Sequence, residues 1–317
     1  MMKSINKKIS VFSALTWTVT ILALVFRILA RLFAYDEEIG YFKSNSVLPI
    51  LYYISLVLIV VLAFIGYLLF RKTKMHESVF AAMKETSVSE KIAAMIGTLA
   101  MLGVTIAMAL IYWGNSILNP NGFTMFGVIT ALLSVFFFLL FWVPSARGKT
   151  VQQIFGIAFA LHFMYTLCSA HFDLYTPLNS PVKLLVQLSA IASVIFIFSD
   201  LRFHMGGISL GRFLFATTPA IAFLTVSVLS GGMFSVYTEE FTLVYHICDL
   251  ANLAVLCYVL VRYIRFLTLY AKADLNAEDD EKNSDTDVDE QATQDSDSSA
   301  EIPSQNEQTD ISLKDQE

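Results

Sequence analysis

Cysteine, proline and charge are all scarce in this chain. Its 317 residues include only three cysteines, Cys168, Cys248 and Cys257, each inside an apolar run. No CxxC pair and no Cys/His zinc spacing occurs, so neither a disulfide framework nor a zinc-stapled small domain organises the fold. The three thiols read as packed side chains. Asn-x-Ser/Thr acceptors are missing too, which identifies no compartment. Charged residues make up 15% of the chain, where a soluble domain has nearer a quarter. No phosphate loop, kinase motif or Ser/His/Asp signature is present. Gly206-Gly207-Ile208-Ser209-Leu210-Gly211 follows no strand and misses the dinucleotide spacing, so it reads as a flexible turn.

The few charges are segregated. Residues 1–273 carry 19 Lys and Arg against 11 Asp and Glu, whereas residues 274–317 carry 2 against 16. The net charge of −6 therefore describes neither part. Two units are expected: an apolar, mildly basic body over 1–273 and an acidic tail over 274–317. The tail has no aromatic residue and cannot bury enough apolar surface to offset ordering. It is expected to be a disordered arm that could bind a protein partner.

What the body has in abundance is apolar length. Hydrophobic residues are 56% of the chain and the mean hydropathy is +0.63. Eight runs reach the roughly 20 residues that a bilayer crossing needs, near 11–33, 47–70, 92–114, 123–144, 154–172, 182–201, 213–234 and 242–263. The fold class is all-α, a polytopic integral membrane protein with eight transmembrane helices. The first run is too long for a signal peptide, contains arginines and ends in no small-residue cleavage site.

Lys and Arg gather before the first run, in the even loops and after the eighth run, while the odd loops hold only Lys43 and Lys183. The positive-inside rule then puts both termini in the cytoplasm of a cell that carries the protein in its plasma membrane. The layout and the Tyr-Asp/Gly-Tyr-Phe loop have a general resemblance to bacterial membrane proteins, which implies no activity. Positive charge that hugs the bilayer argues against nucleic-acid binding.

Several connectors carry local signals. Glu77–Glu85, with Val79, Phe80 and Met83 on one side, reads as a short interfacial helix. Ser87-Val88-Ser89-Glu90 has the form of a capping box. Asn119-Pro120-Asn121-Gly122 reads as a tight turn. Ser180-Pro181 and Asn45-Ser46 read as helix starts. Loops one and five each open on an aromatic beside an aspartate, so 11–144 and 154–263 could form a parallel repeat of four helices each.

Candidate site residues are the ionisable groups inside the spans. Arg27, His162 and Asp249 each lie about 9–15 Å below the outer interface at 1.5 Å per residue. Tyr245, Asp249 and Asn252 share one helical face, with His246 beside it, and Arg31 continues the Arg27 face. A guanidinium at membrane depth costs about 2.5 kcal/mol or more unless something meets it. Asp249 is the expected partner of Arg27, and Arg31 is expected to reach Glu239, Glu240 or the loop-one acids. Three readings follow. An outward-facing polar pocket could bind or transport a small anionic solute. A non-catalytic scaffold or sensor could use a dry Arg27–Asp249 staple and the acidic tail. A membrane hydrolase could use an external set drawn from His162, His171, His246, Asp173 and Asp249. No residue set demands a metal or another cofactor, and none has the spacing of a catalytic site.

Overall fold

The structure, a computed structural model, describes residues 2–36, 41–43, 45–116, 122–143, 150–173, 180–205, 209–234 and 243–294. Among them are nine α-helices and one short hairpin. The helices are α1 (Met2–Ala34), α2 (Val47–Phe70), α3 (Glu77–Lys84), α4 (Val88–Ser116) and α5 (Gly122–Leu139), which tightens into a 3-10 turn at Leu140–Trp142. They continue with α6 (Thr150–Phe172), α7 (Pro181–Met205), α8 (Leu210–Phe234) and α9 (Leu243–Gln294). All except α3 are long and apolar enough to cross a membrane, and the eight fit a multi-pass membrane protein.

The helices overrun the apolar runs that announce them. α1 begins at Met2, α4 at Val88, and α7 continues to Met205. Hydropathy falls at the first charged residue, but the backbone ladder does not end there, because long polar side chains can leave the apolar surface sideways. α9 runs furthest. Its backbone is helical to Gln294, although the composition beyond Ala273 predicts no fixed structure. A helix already nucleated extends without a new nucleation cost, which separates this stretch from an isolated acidic peptide. The chain divides into two compact units, Met1–Ala273 and Asp274–Glu317. The remainder of the acidic tail, 295–317, lies outside the described residues.

Within the first unit, packing follows the chain from α4 through α5, α6 and α7 to α8, which then meets both α1 and α2. α8 is the most enclosed span, 78% buried against 33% for α1 and for α2. Its Thr217, Thr218 and Ser227 therefore face protein. Exposed Val57, Leu69 and Leu110 belong to the outward surfaces of α2 and α4, as a lipid-facing girdle would. α9 touches α1 where Asn6 Nδ2 donates to the Tyr270 carbonyl at 3.1 Å.

The two ends of the bundle differ. At one end β1 (Tyr35–Asp36) pairs antiparallel with β2 (Tyr41–Phe42), where the sequence reads as plain loop. At the other end lies α3, with Val79 and Met83 buried against the bundle. The predicted capping box forms: Glu90 N donates to Ser87 Oγ at 3.2 Å and Ser87 N to Glu90 Oε2 at 3.0 Å. Ser46 occupies the N-cap of α2 without a side-chain hydrogen bond. The loop-three turn, 117–121, lies outside the described residues, as do Gly206, Gly207 and Ile208.

Gly211, read from sequence as part of a flexible turn, is instead a contact between helices. A Cβ there would stand 2.7 Å from Arg71 N and 2.8 Å from Tyr67 O, backbone atoms that cannot rotate away. Leu210 N also donates to Thr73 O at 3.2 Å. The Gly211→Ala variant is expected to lose about 1–3 kcal/mol through overpacking. Gly114→Ala, with nothing within 4 Å, should be neutral or slightly stabilising. Thermal unfolding in detergent compares the two, and equal midpoints would refute the close approach.

Candidate functional site

At the hairpin end, Arg27 is buried, only 5% exposed. The hairpin folds Phe42 back over it, so that the guanidinium carbon lies 5.5 Å from the Phe42 ring centre and 5.2 Å from that of Tyr52. Phe42 in turn meets Tyr35, Tyr52 and Tyr53 edge-on. Arg31, one turn on, stacks over Tyr35 at 3.6 Å. This is an aromatic cage for two cations. Glu239 and Glu240, the acids expected to meet Arg31, lie outside the described residues, as do Glu37 and Glu38. Two aromatic faces return about 2 kcal/mol or more each when desolvated, comparable to the lower figure for a buried guanidinium. They satisfy no N–H donor. Among the described residues the Arg27 side chain makes no hydrogen bond or ion pair, and its Nη1 is enclosed without a partner. The Tyr52 hydroxyl, on a fully buried residue, is likewise unpartnered.

Asp249 does not close this gap. Arg27 lies near enough to act on it electrostatically, but no ion pair within 4.0 Å joins them among the described residues. The carboxylate is held by α8 instead. Ser227 Oγ donates to Asp249 Oδ1 at 3.0 Å and accepts from Asn252 Nδ2 at 3.2 Å. Gly231 makes room for this, since a Cβ there would meet Asp249 Oδ2 head-on. The expected face of α9 is therefore present at Asp249 and Asn252; the side chain of Tyr245 lies outside the described residues. His246 is half-buried beside it.

His162 and Asp173 belong elsewhere. His162, 1% exposed, lies on α6 with Nδ1 3.5 Å from Thr130 Oγ1 of α5 and its ring stacked on Tyr165. It lines a cavity of about 150 Å³ between α4, α5, α6 and α9, which Cys248 also faces. Asp173 directly follows α6, and its carbonyl accepts from Lys183 Nζ at 2.8 Å. Fully buried Lys183 thus ties α7 to the end of α6. The groups expected to form one polar cluster are seen with different partners: the Phe42 and Tyr52 rings for Arg27, Ser227 for Asp249 and Asn252, and Thr130 and Tyr165 for His162. Among the described residues, no three His, Cys, Asp or Glu gather where they could hold a metal.

The strongest polar assembly lies at the α3 end, built from residues that sequence reading counts as loop charges or passes over. Arg262 of α9 is fully buried. Its Nε and Nη2 donate to Asp200 Oδ1 of α7 at 3.0 and 2.6 Å. Its Nη1 donates to Glu90 Oε1 of α4 at 3.0 Å and to the Met83 carbonyl at 2.8 Å. Tyr258 donates to the other oxygen of Asp200. Arg265 donates to Glu90 Oε2 and to the carbonyls of Glu85 and Ala82 at 2.6–2.7 Å. Two acids and two bases balance in charge, and the arginines fill the carbonyl end of α3, where cations complement the helix dipole. Asp200 sits in the last turns of its span, as Arg262 does in its own, so seeking a partner for each buried charge at this end also would have found the pair.

Breaking a buried pair leaves an uncompensated charge and costs about 3–5 kcal/mol. Asp200→Asn and Arg262→Gln should each unfold the protein at markedly lower temperature in detergent. The double variant should be less damaged than the sum, by about 1–3 kcal/mol. Strict additivity in the unfolding midpoints would rule out the pairing. Comparison of the chain with protein-family models, with curated proteins and with solved structures returned no match.

Proposed function

We propose that this chain is a solute-binding membrane protein that receives a small anionic group at Arg27, from the outer side of the cell membrane. One observation carries the reading: a guanidinium on a residue only 5% exposed, with no acid in ion-pair distance and an enclosed N–H without an acceptor among the described residues. An unmet buried donor costs about 1–3 kcal/mol, more when charged. A carboxylate or phosphate oxygen would supply both the charge and the acceptor, and Arg is the side chain best shaped to take it. Tyr52 would donate a second hydrogen bond. Asp249, held back by Ser227, would keep an occupant's charge from being held too tightly. A scaffold that used Arg27 only as a staple calls for a satisfied guanidinium, and Arg27 has none of those partners among the described residues. α4 and α8 pass Gly103 and Pro219 without interruption, whereas transporters commonly break their helices at the binding site. Binding is thus favoured over conduction.

The anion is tested on the purified full chain by thermal unfolding with inorganic phosphate, acetate or a short-chain anionic phospholipid. At a hundredfold excess over Kd the occupant should stabilise by about 2.7 kcal/mol, and Arg27→Gln should abolish the shift. A preference for the phospholipid assigns the site to a lipid headgroup, and a response to the free anions assigns it to a solute. Indifference of the wild type to all three, or a shift that survives Arg27→Gln, would defeat the reading.

The orientation rests on basic residues. Arg71, Lys72, Lys74, Lys84, Lys91, Arg202 and Arg212 flank helix ends on the α3 side, against Lys43 and Lys183 on the other. With the α3 end cytoplasmic, both termini are too, and the acidic tail is available to a protein partner there. A green fluorescent protein fused after Glu317 should fluoresce, and alkaline phosphatase at the same place should be inactive. The reverse pattern would invert the topology.

A further inference from the structure

We infer that the cavity beside His162 is a second binding site, separate from Arg27, for a small uncharged molecule with one hydrogen-bonding end. Its volume is about 150 Å³. An apolar cavity of about this size takes up benzene, whereas drug-sized ligands occupy about 300–1,000 Å³. The occupant is therefore a single ring or its equivalent.

The lining fixes the chemistry. Thr124, His162, Tyr165 and Ser169 bring hydroxyl and imidazole groups to the wall, and Met108 and Ile247 supply apolar surface. Asp, Glu, Lys and Arg are absent from the lining among the described residues. A charged ligand would enter without a counter-charge, at a large desolvation cost, while a neutral hydroxyl or amide would find donors and acceptors. His162 is anchored on the α5 side, where the Gly127 carbonyl accepts from its ring and Thr130 Oγ1 lies 3.5 Å from Nδ1, and the same ring lines the cavity. The wall is also shaped. Tyr165 lies tilted against Phe123, with ring centres 4.7 Å apart, and so close to Gly127 that a Cβ there would meet its ring at 2.5 Å. Gly127 thus sets how far Tyr165 and Met108 can retreat from the cavity.

Cys248 and Asp249 are neighbours on α9, yet Cys248 faces this cavity while Asp249 binds Ser227 on α8. Successive residues point about 100° apart on a helix. α9 thus turns Cys248 toward this cavity and Asp249 toward α8.

Phenol is the probe, with benzoate as its charged counterpart and benzene as its apolar one. Radiolabelled phenol is equilibrated with the full chain in detergent micelles, and displacement by excess unlabelled phenol separates a site from partitioning into the micelle. The expected result is displaceable binding approaching one equivalent per chain. Benzoate and benzene should each compete at least tenfold less well. Ser169→Leu, which fills the cavity, should abolish binding. Gly127→Ala, which drives the Tyr165 ring inward, should weaken it at least fivefold should the larger substitution not fold. Arg27→Gln should leave it unchanged, which keeps this outcome independent of the anion site. Non-displaceable uptake, benzoate binding as well as phenol, or unchanged binding in both cavity variants would each overturn the proposal.

Discussion

A guanidinium taken out of water has to be met by acceptors, and the α3 end of this bundle is arranged around doing so for Arg262. The effective cost of desolvating such an ion is several kcal/mol even after relaxation. Here it is offset by four hydrogen bonds and two carboxylates. Those acceptors come from α3, α4 and α7, three elements that the chain reaches well before α9. Glu90 is central to the arrangement. One oxygen serves Arg262, and the other serves Arg265 and the Ser87 amide that begins α4. A residue that would ordinarily do no more than cap a helix thus decides where α9 sits.

Against that locked end, the hairpin end handles the same chemical problem differently. Arg27 is enclosed by rings instead of oxygens. A quadrupole is attractive to a cation from a broad range of directions and carries no charge of its own, so the cage holds the side chain without neutralising it. A clamp satisfies its ion completely, as Asp200 and Glu90 do, and has nothing left to offer. The cage over Arg27 supplies no acceptor, and Nη1 stays enclosed without one among the described residues.

Much of this is legible from the chain alone. Every span announces itself by length and hydropathy, since a bilayer-sized run of apolar residues has few other uses. The Ser87–Glu90 box is local and can be read directly. The electrostatics are harder, for an identifiable reason. Arg262 and Arg265 read as loop residues because hydropathy drops there, and counting them for topology conceals that the helix carries them on into protein. Asp200 escapes notice at the matching end of α7. The hairpin is invisible because a strand of two residues has no period; Tyr35 and Phe42 pair only once α1 and α2 already bring their ends together. The partners of the expected polar residues are not legible either, since depth along a helix says nothing about which side a residue faces.

That last point explains the division of labour on α9. One helix presents Asp249 and Asn252 to α8, Cys248 to the His162 cavity, and Tyr258, Arg262 and Arg265 to the α3 end. Within the first unit this helix is held partway along its length by the charge cluster. A rod pinned in this way resists rigid translation, because sliding by even one residue would strip Arg262 of its acceptors. At the other end the short hairpin is held by contacts that are aromatic and individually weak. The ion cluster therefore fixes α9 partway along its length, which sets Cys248 toward the His162 cavity and Asp249 toward α8.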